Sequence, residues 1–202
     1  MSADIVRFYR DKKDIRTLPP VPMPLRVEAQ TSFASMMNDD SLPLFQKLEK
    51  AYEFFDRYNA FVSTFAVCSR GCNHCCNGDV QLTRLEAEYI HHKTGESLPI
   101  DFNSPLTTGH EEPCAFLSSD GSCGVYAVRP FNCRTFHTLD DPKYCATNEP
   151  HQIYGSAREG YGVDVYSSFA VWLGQLHAMT GVKTKDIRDW FPLSTAPKNA
   201  TS

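Results

Sequence analysis

The sequence predicts a mainly α fold: a small helical domain packed around an irregular cysteine-rich centre, with an extended segment at its N-terminus. Three observations carry this. Apolar residues recur at helical spacing over about 41–61 and 163–180. Repeated strand–helix units are missing. Eight cysteines lie between positions 68 and 145, four of them within nine residues.

Residues 1–40 read as an N-terminal extension. Leu18-Pro19-Pro20-Val21-Pro22-Met23-Pro24 forces extended backbone, because proline fixes φ and disfavours helix in the residue before it. The domain proper is expected over 41–193. Ser41 can cap a helix running to about Phe61, along which Leu44, Leu48, Ala51, Phe55, Tyr58 and Val62 repeat on one face. The aromatics there (Phe45, Tyr52, Phe54, Phe55, Tyr58, Phe61) follow that face and read as core. Gly71 and Gly78 interrupt regular structure around the first cysteines. Thr83-Arg84-Leu85-Glu86 has capping-box spacing and opens a helix through Ile90 to about Lys93, stopped by Gly95. His91 and His92, at its C-terminal end, read as surface residues.

Residues 96–112 are polar, carry Pro99 and Pro105, and read as a loop. Ser118-Ser119-Asp120-Gly121 marks a tight turn between Cys114 and Cys123. A helix follows over 163–180, with Val165, Phe169, Trp172, Leu173 and Leu176 on one side and Gly181 as its stop. Thr184 can cap a last short helix, Lys185 to Trp190, halted by Pro192. The small polar tail, 194–202, is expected to be disordered.

Composition excludes several classes. The chain has 202 residues, 42% of them apolar, a net charge of −4 and no long run of Lys or Arg. Nucleic acid and acidic membrane are poor partners for such a surface. No stretch approaches the roughly 20 apolar residues of a membrane span, and the N-terminus has no apolar stretch of secretory length. The expected compartment is the cytoplasm, where thiols stay reduced; that argues against a disulfide framework.

The cysteines carry the chemistry. Cys68, Cys72, Cys75 and Cys76 read C-x3-C-x2-C-C, and Cys114, Cys123, Cys133 and Cys145 make a second set of four. Four thiolates fill one tetrahedral zinc site or hold one iron–sulfur cluster, and both assignments stay open here. The C-x3-C-x2-C subset also matches the spacing of radical-SAM enzymes, but too few residues follow for the β/α barrel that motif opens. Adjacent cysteines point apart along the backbone. The Cys75-Cys76 doublet therefore suits a polynuclear cluster, or two sites sharing a wall. Cys145, the most distant, has the alternative of a buried thiol.

Arg129 and Arg134 flank Cys133, where positive charge offsets thiolates. Arg134 is the candidate donor to a cluster sulfur, and Arg129-Pro130 can shape the turn that aims Cys133. His74 and His137 are candidate substitutes for a thiolate. Tyr126 reads as packing. No nucleotide-binding or hydrolase motif is present.

In order, Cys68…Cys72…Cys75-Cys76, Leu82-Thr83…Glu86-Ala87…Ile90, and Pro113-Cys114-Ala115-Phe116-Leu117…Asp120-Gly121…Cys123…Tyr126…Arg129-Pro130…Cys133-Arg134…Phe136 resemble the YkgJ-type cysteine-cluster family, over roughly 65–145. That family is provisionally described as a zinc- or iron-chelating domain and is often labelled an Fe–S oxidoreductase. The first spacing here is x3, where many members have x2. Flagellin lysine methylases resemble the same pattern. The resemblance implies chelation by these cysteines. The expected function is a cytoplasmic metal-chelating protein that binds iron, as an Fe–S cluster, with a redox or electron-transfer role and a protein redox partner. The alternatives are a zinc-stabilised interaction module without catalysis and a methyltransferase-like activity on a protein side chain.

Overall fold

Proline does not keep the N-terminal segment extended throughout. The computed structural model describes residues 8–69, 71–98, 105–147, 149–155 and 160–192; the tail 194–202 lies outside them. Within residues 1–40, a short helix α1 (Lys12–Ile15) precedes the prolines, and α2 (Met23–Gln30) and α3 (Ser32–Met37) follow. Pro22 stands just before α2 and Pro24 in its first turn, where a missing N–H breaks no helical bond. These helices press Ala29, Phe33 and Met37 into the core.

Helix α4 (Leu44–Val62) buries Leu48, Ala51, Tyr52, Phe54, Phe55, Tyr58 and Val62. Pro43 stands at its N-cap. Ser41 is instead bound to Asp39, whose carboxylate accepts both its N–H and its hydroxyl. Strand β1 (Gln81–Leu82) leads into α5 (Arg84–Thr94), which starts on the expected capping box and ends at Gly95 in the left-handed region. Then come α6 (Phe131–Arg134), β2 (Phe136–Thr138), β3 (Ile153–Gly155), α7 (Val163–Thr180), β4 (Lys185–Asp186) and α8 (Ile187–Trp190).

β1 pairs antiparallel with β4, and β2 with β3, Phe136 facing Gly155. Gly155 has φ 134°, and a Cβ there would meet the Thr135 carbonyl oxygen at 1.5 Å, so only glycine lets β3 approach β2. The last helix departs from the expected pattern. Lys185 and Asp186 are extended because they pair with β1, and Asp186, not Thr184, caps α8 by accepting the Arg188 N–H at 2.8 Å.

The fold is mainly α, as expected, and it has two apolar cores. The larger packs the faces of α3, α4 and α7 with Phe131 and Tyr154. The smaller gathers Leu82, Ile90, Phe116, Val125, Ile187, Trp190 and Phe191, with Cys114 among them and Cys76 and Cys123 against its side. Among the described residues, no helix is long and apolar enough to cross a membrane.

Candidate metal centre

The cysteine region contains little regular structure, so long-range backbone bonds position its sulfurs. The Val67 N–H donates to the Thr138 carbonyl at 3.0 Å, which lays the chain entering the first cysteine loop along β2. The Thr138 N–H donates to Cys68 Sγ at 3.2 Å. Further on, the Cys114 N–H donates to the Cys76 carbonyl at 2.8 Å and ties the second cysteine region to the doublet. The turn at 118–121 forms as expected, and Gly124 N–H and the Leu117–Cys123 bridge close a small knuckle. Gly121 (φ 81°) faces the Asn73 side chain so closely that a Cβ would sit 2.9 Å from its Nδ2. The knuckle tip therefore rests on the first cysteine loop.

The eight sulfurs, all unpaired, fall into two groups. Cys68, Cys72 and Cys145 sit together: burial first, and then the charge of Cys68 and Cys72, push the Cys145 thiol up to about 11. His151 Nε2 stands 3.7 Å from Cys145 Sγ. Cys76, Cys114, Cys123 and Cys133 form the second group. Burial raises Cys133 strongly, and the charges of Cys114, Cys76 and Cys123 add to it; Cys114, pushed up to about 11, responds to burial and then to Cys76 and Cys123. Cys75 links the groups. Its hydrogen bond to Cys76 is the main cause of the strongly raised Cys76 pKa, and its 3-10 turn (His74–Asn77) packs against the turn carrying Cys145 (Pro142–Ala146). Among the described residues, no three of these sulfurs lie mutually within 4.8 Å.

Three arginines supply positive charge. Arg134 is buried, and its donors go to the Arg129 carbonyl at 2.9 Å, to Asp56 at 2.5 Å and to the Ala127 carbonyl, while its guanidinium lies 4.2 Å over the Tyr52 ring. Its charge lowers the thiol pKa of Cys123. Arg188, from α8, donates to the carbonyls of Cys76 at 3.1 Å, Gly78 at 3.3 Å and Glu112 at 2.8 Å, and favours the thiolates of Cys76 and Cys114. Arg129 favours the thiolates of Cys68 in one group and of Cys76, Cys123 and Cys133 in the other. Its guanidinium stacks 4.2 Å over Tyr126, and its buried Nε has no hydrogen-bond partner. A buried donor without an acceptor costs about 1–3 kcal/mol, and a metal-bound sulfur is an acceptor that fits it. The donor set and this N–H both suit a thiolate-held metal.

Of the two candidate histidines, His137 is buried and gives its Nε2–H to Asn59 Oδ1 at 3.0 Å; burial and the Arg129 charge hold it neutral, with a pKa of about 4. His74 is exposed on the 3-10 turn. Short-range patterns gave no sign of Arg188, which sits more than a hundred residues from the loop it braces. They also missed Glu86 as more than a cap. Its fully buried carboxylate accepts from the Thr83 N–H and hydroxyl, from Tyr52 and, at 2.8 Å, from the Phe131 N–H. One residue thereby starts two helices, α5 and the α6 turn that carries Cys133.

A helical frame holding two groups of thiols defines a cysteine-cluster metal-chelating protein. Residues 67–152 match the model of the CxxCxxCC family, provisionally described as a zinc- or iron-chelating domain. No curated protein and no solved structure matches the chain.

Proposed function

We propose that this protein binds iron as iron–sulfur clusters in two four-thiolate sites and serves in electron transfer to a protein partner in the cytoplasm. Cys68, Cys72, Cys75 and Cys145 hold one cluster; Cys76, Cys114, Cys123 and Cys133 hold the other. The observation that carries this is the position of the doublet. Cys75 and Cys76 sit between three sulfurs on one side, Cys68, Cys72 and Cys145, and three on the other, Cys114, Cys123 and Cys133. Their mutual hydrogen bond needs a proton on one sulfur, and metal binding removes that proton.

The choice of iron over zinc rests on spacing. A single ion with four thiolates at about 2.3 Å draws its sulfurs to about 3.8 Å from one another. Among the described residues no three of the sulfurs lie mutually within even 4.8 Å, which favours a polynuclear core with one thiolate per iron. When bound, such a cluster supplies one-electron transfer. The chain's own part is to hold the sulfurs, place Arg129, Arg134 and Arg188 as counter-charges, and keep His137 neutral. The donors of Arg134 are held mainly by protein acceptors, so its contribution is charge and bracing of the Ala127–Arg129 turn.

The test is purification without oxygen, followed by iron and sulfide analysis and a visible spectrum. Iron with matching sulfide and a brown chromophore is expected. Colourless protein with stoichiometric zinc would overturn the iron assignment.

One observation favours a second reading, in which zinc serves structure alone. Cys114 belongs to the smaller core, so a metal in the second group would act as part of that core. Under it, removing zinc lowers the melting temperature and no redox chemistry is found.

A further inference from the structure

The sulfur of Cys145 has a neighbour outside the cysteine sets. His151 Nε2 stands 3.7 Å from Cys145 Sγ. A thiolate at about 2.3 Å and an imidazole nitrogen at about 2.0–2.1 Å on one tetrahedral metal lie about 3.6 Å apart. The pair is therefore already at the spacing of two ligands on a single metal.

The ring is also turned the right way. Its Nδ1 lies 3.1 Å from the Glu149 carbonyl, which can only accept. Nδ1 then carries the ring proton, and Nε2 of the neutral ring keeps its lone pair toward the sulfur. Metal-binding histidines are commonly oriented by such a bond on the far nitrogen. Phe136 and Tyr144 flank the ring, with centroids 6.3 and 6.4 Å away.

The backbone fixes where this ring stands. The Leu139 N–H donates to the Gln152 carbonyl at 2.9 Å, and the Thr138 N–H, one residue earlier, donates to Cys68 Sγ at 3.2 Å. The end of β2 thus holds both a thiol of the first group and the segment that carries His151. His137, by contrast, has its Nε2–H on Asn59.

Four thiolates fill the first site in the proposal above, and Cys75 is the one whose neighbour, Cys76, belongs to the other site. We infer that His151 is an exchange ligand of the first metal site: its Nε2 binds the metal held by Cys145 and takes the place of Cys75. This deepens the two-site proposal and rests on it. The Nε2 lone pair forms the new bond as the bond from Cys75 to the metal breaks, and the released thiolate takes a proton from solvent. A neutral imidazole replaces a negative thiolate, as in Rieske-type centres, which raises the reduction potential of the first centre.

The experiment compares the full-length wild type with Cys75→Ala, His151→Ala and the double variant. All are prepared without oxygen with isotopically labelled histidine, and folding is checked by far-UV circular dichroism. Metal and sulfide per chain, pulsed EPR of the reduced protein and the midpoint potential of each centre are measured. Cys75→Ala is expected to keep both metal loads, to show nitrogen coupling from a bound histidine and to have one potential raised. The double variant should lose one load. Loss of that load already in Cys75→Ala, its retention without histidine coupling, or full metal content in the double variant would overturn the role of His151 and leave the two-site proposal standing. If Cys75→Ala does not fold, His151→Ala decides. Metal should then pass from one site to a chelator severalfold faster than in the wild type, and an unchanged rate counts against the inference.

A wild type that holds zinc overturns the iron assignment alone, and zinc per chain in the same variants then decides on His151. Full zinc in Cys75→Ala and loss of one ion in the double variant are expected; equal loss in both counts against the inference. A wild type with fewer than two metal loads overturns the two-site proposal and this inference with it.

Discussion

The two thiol groups sit in different surroundings. The first, Cys68, Cys72 and Cys145, rests on the edge of the β2–β3 pair and on the turn Pro142–Ala146, where Arg10 lies over Tyr144 and pairs with Asp140 at 2.7 Å. Burial raises the Cys68 and Cys145 thiols, but none of the three cysteines is part of either apolar core. The second is set into the smaller apolar core and braced by residues from far along the chain: Arg188 on the carbonyls around Cys76, and Glu86 at the start of the Cys133 turn. Under the two-site proposal, the difference teaches where each metal's binding energy would go. At the first group it closes a loop on a fold that the aromatic core already holds. At the second it completes a core.

The most severe break in this contrast is Cys133→Ser. It should remove one of the two metal loads and cost at least about 5 kcal/mol of unfolding stability, because the metal there is part of the folded core. Metal analysis with chemical denaturation checks this; a variant with full metal content and wild-type stability would refute the ligand assignment. Glu86→Ala comes next, at about 3–5 kcal/mol. It strands the Phe131 N–H, the Thr83 N–H and the Tyr52 hydroxyl in a buried place. It should also loosen metal in the second group while leaving the first loaded, and equal loss from both would undo the separation drawn here.

Cys72→Ser should do the reverse. Metal content falls by one ion or cluster per chain, yet stability drops by only about 1–2 kcal/mol, a Tm shift of about 2–8 °C. A stability loss matching that of Cys133→Ser would mean that the two groups are not energetically distinct.

Much of the helical frame was legible in the sequence because its signals are local. The Thr83–Glu86 box, Gly95 and the apolar stripes of α4 and α7 each lie within a few turns of the residues they organise. The density of cysteines was legible in the same way. What sorted them into groups was not, since it depends on bonds such as Cys114 N–H to the Cys76 carbonyl and Val67 N–H to the Thr138 carbonyl, which join distant segments. The same applies to the cap of α8. Thr184 has the right spacing, but Asp186 takes the role because β4 pairs with β1 and fixes where the helix starts. Helix α2, within residues 1–40, was hidden by prolines that in fact stand at its start.

The smallest effect concerns a polar latch on the second group's side of the molecule. His110 Nδ1 lies 2.8 Å from Asp79, its Nε2 lies 2.7 Å from Thr107 Oγ1, and Thr107 donates in turn to Asp189. All these bonds can form together when the ring is protonated, since both nitrogens then donate. The hydrogen bond to Asp79 raises the His110 pKa, with the nearby charge of Asp186 in support and Arg188 opposing. Asp79 is held down to about 2, chiefly by the Gly109 N–H and also by His110. The signs differ. The His110 contribution is complete below its unfolded value of about 6.5 and is lost as pH rises through its raised folded value; that of Asp79 is present above about 3.9 and lost as pH falls toward about 2. The latch is therefore strongest between about pH 4 and 6.5. His110→Gln should remove part of the decline in Tm between pH 6 and 9, by no more than about 2 °C for so solvent-accessible a pair. An unchanged pH profile in the variant would show that His110 is not the titrating group. Because the latch holds the 105–112 loop just ahead of Cys114, a shift accompanied by changed metal content would extend the second group's bracing to this loop.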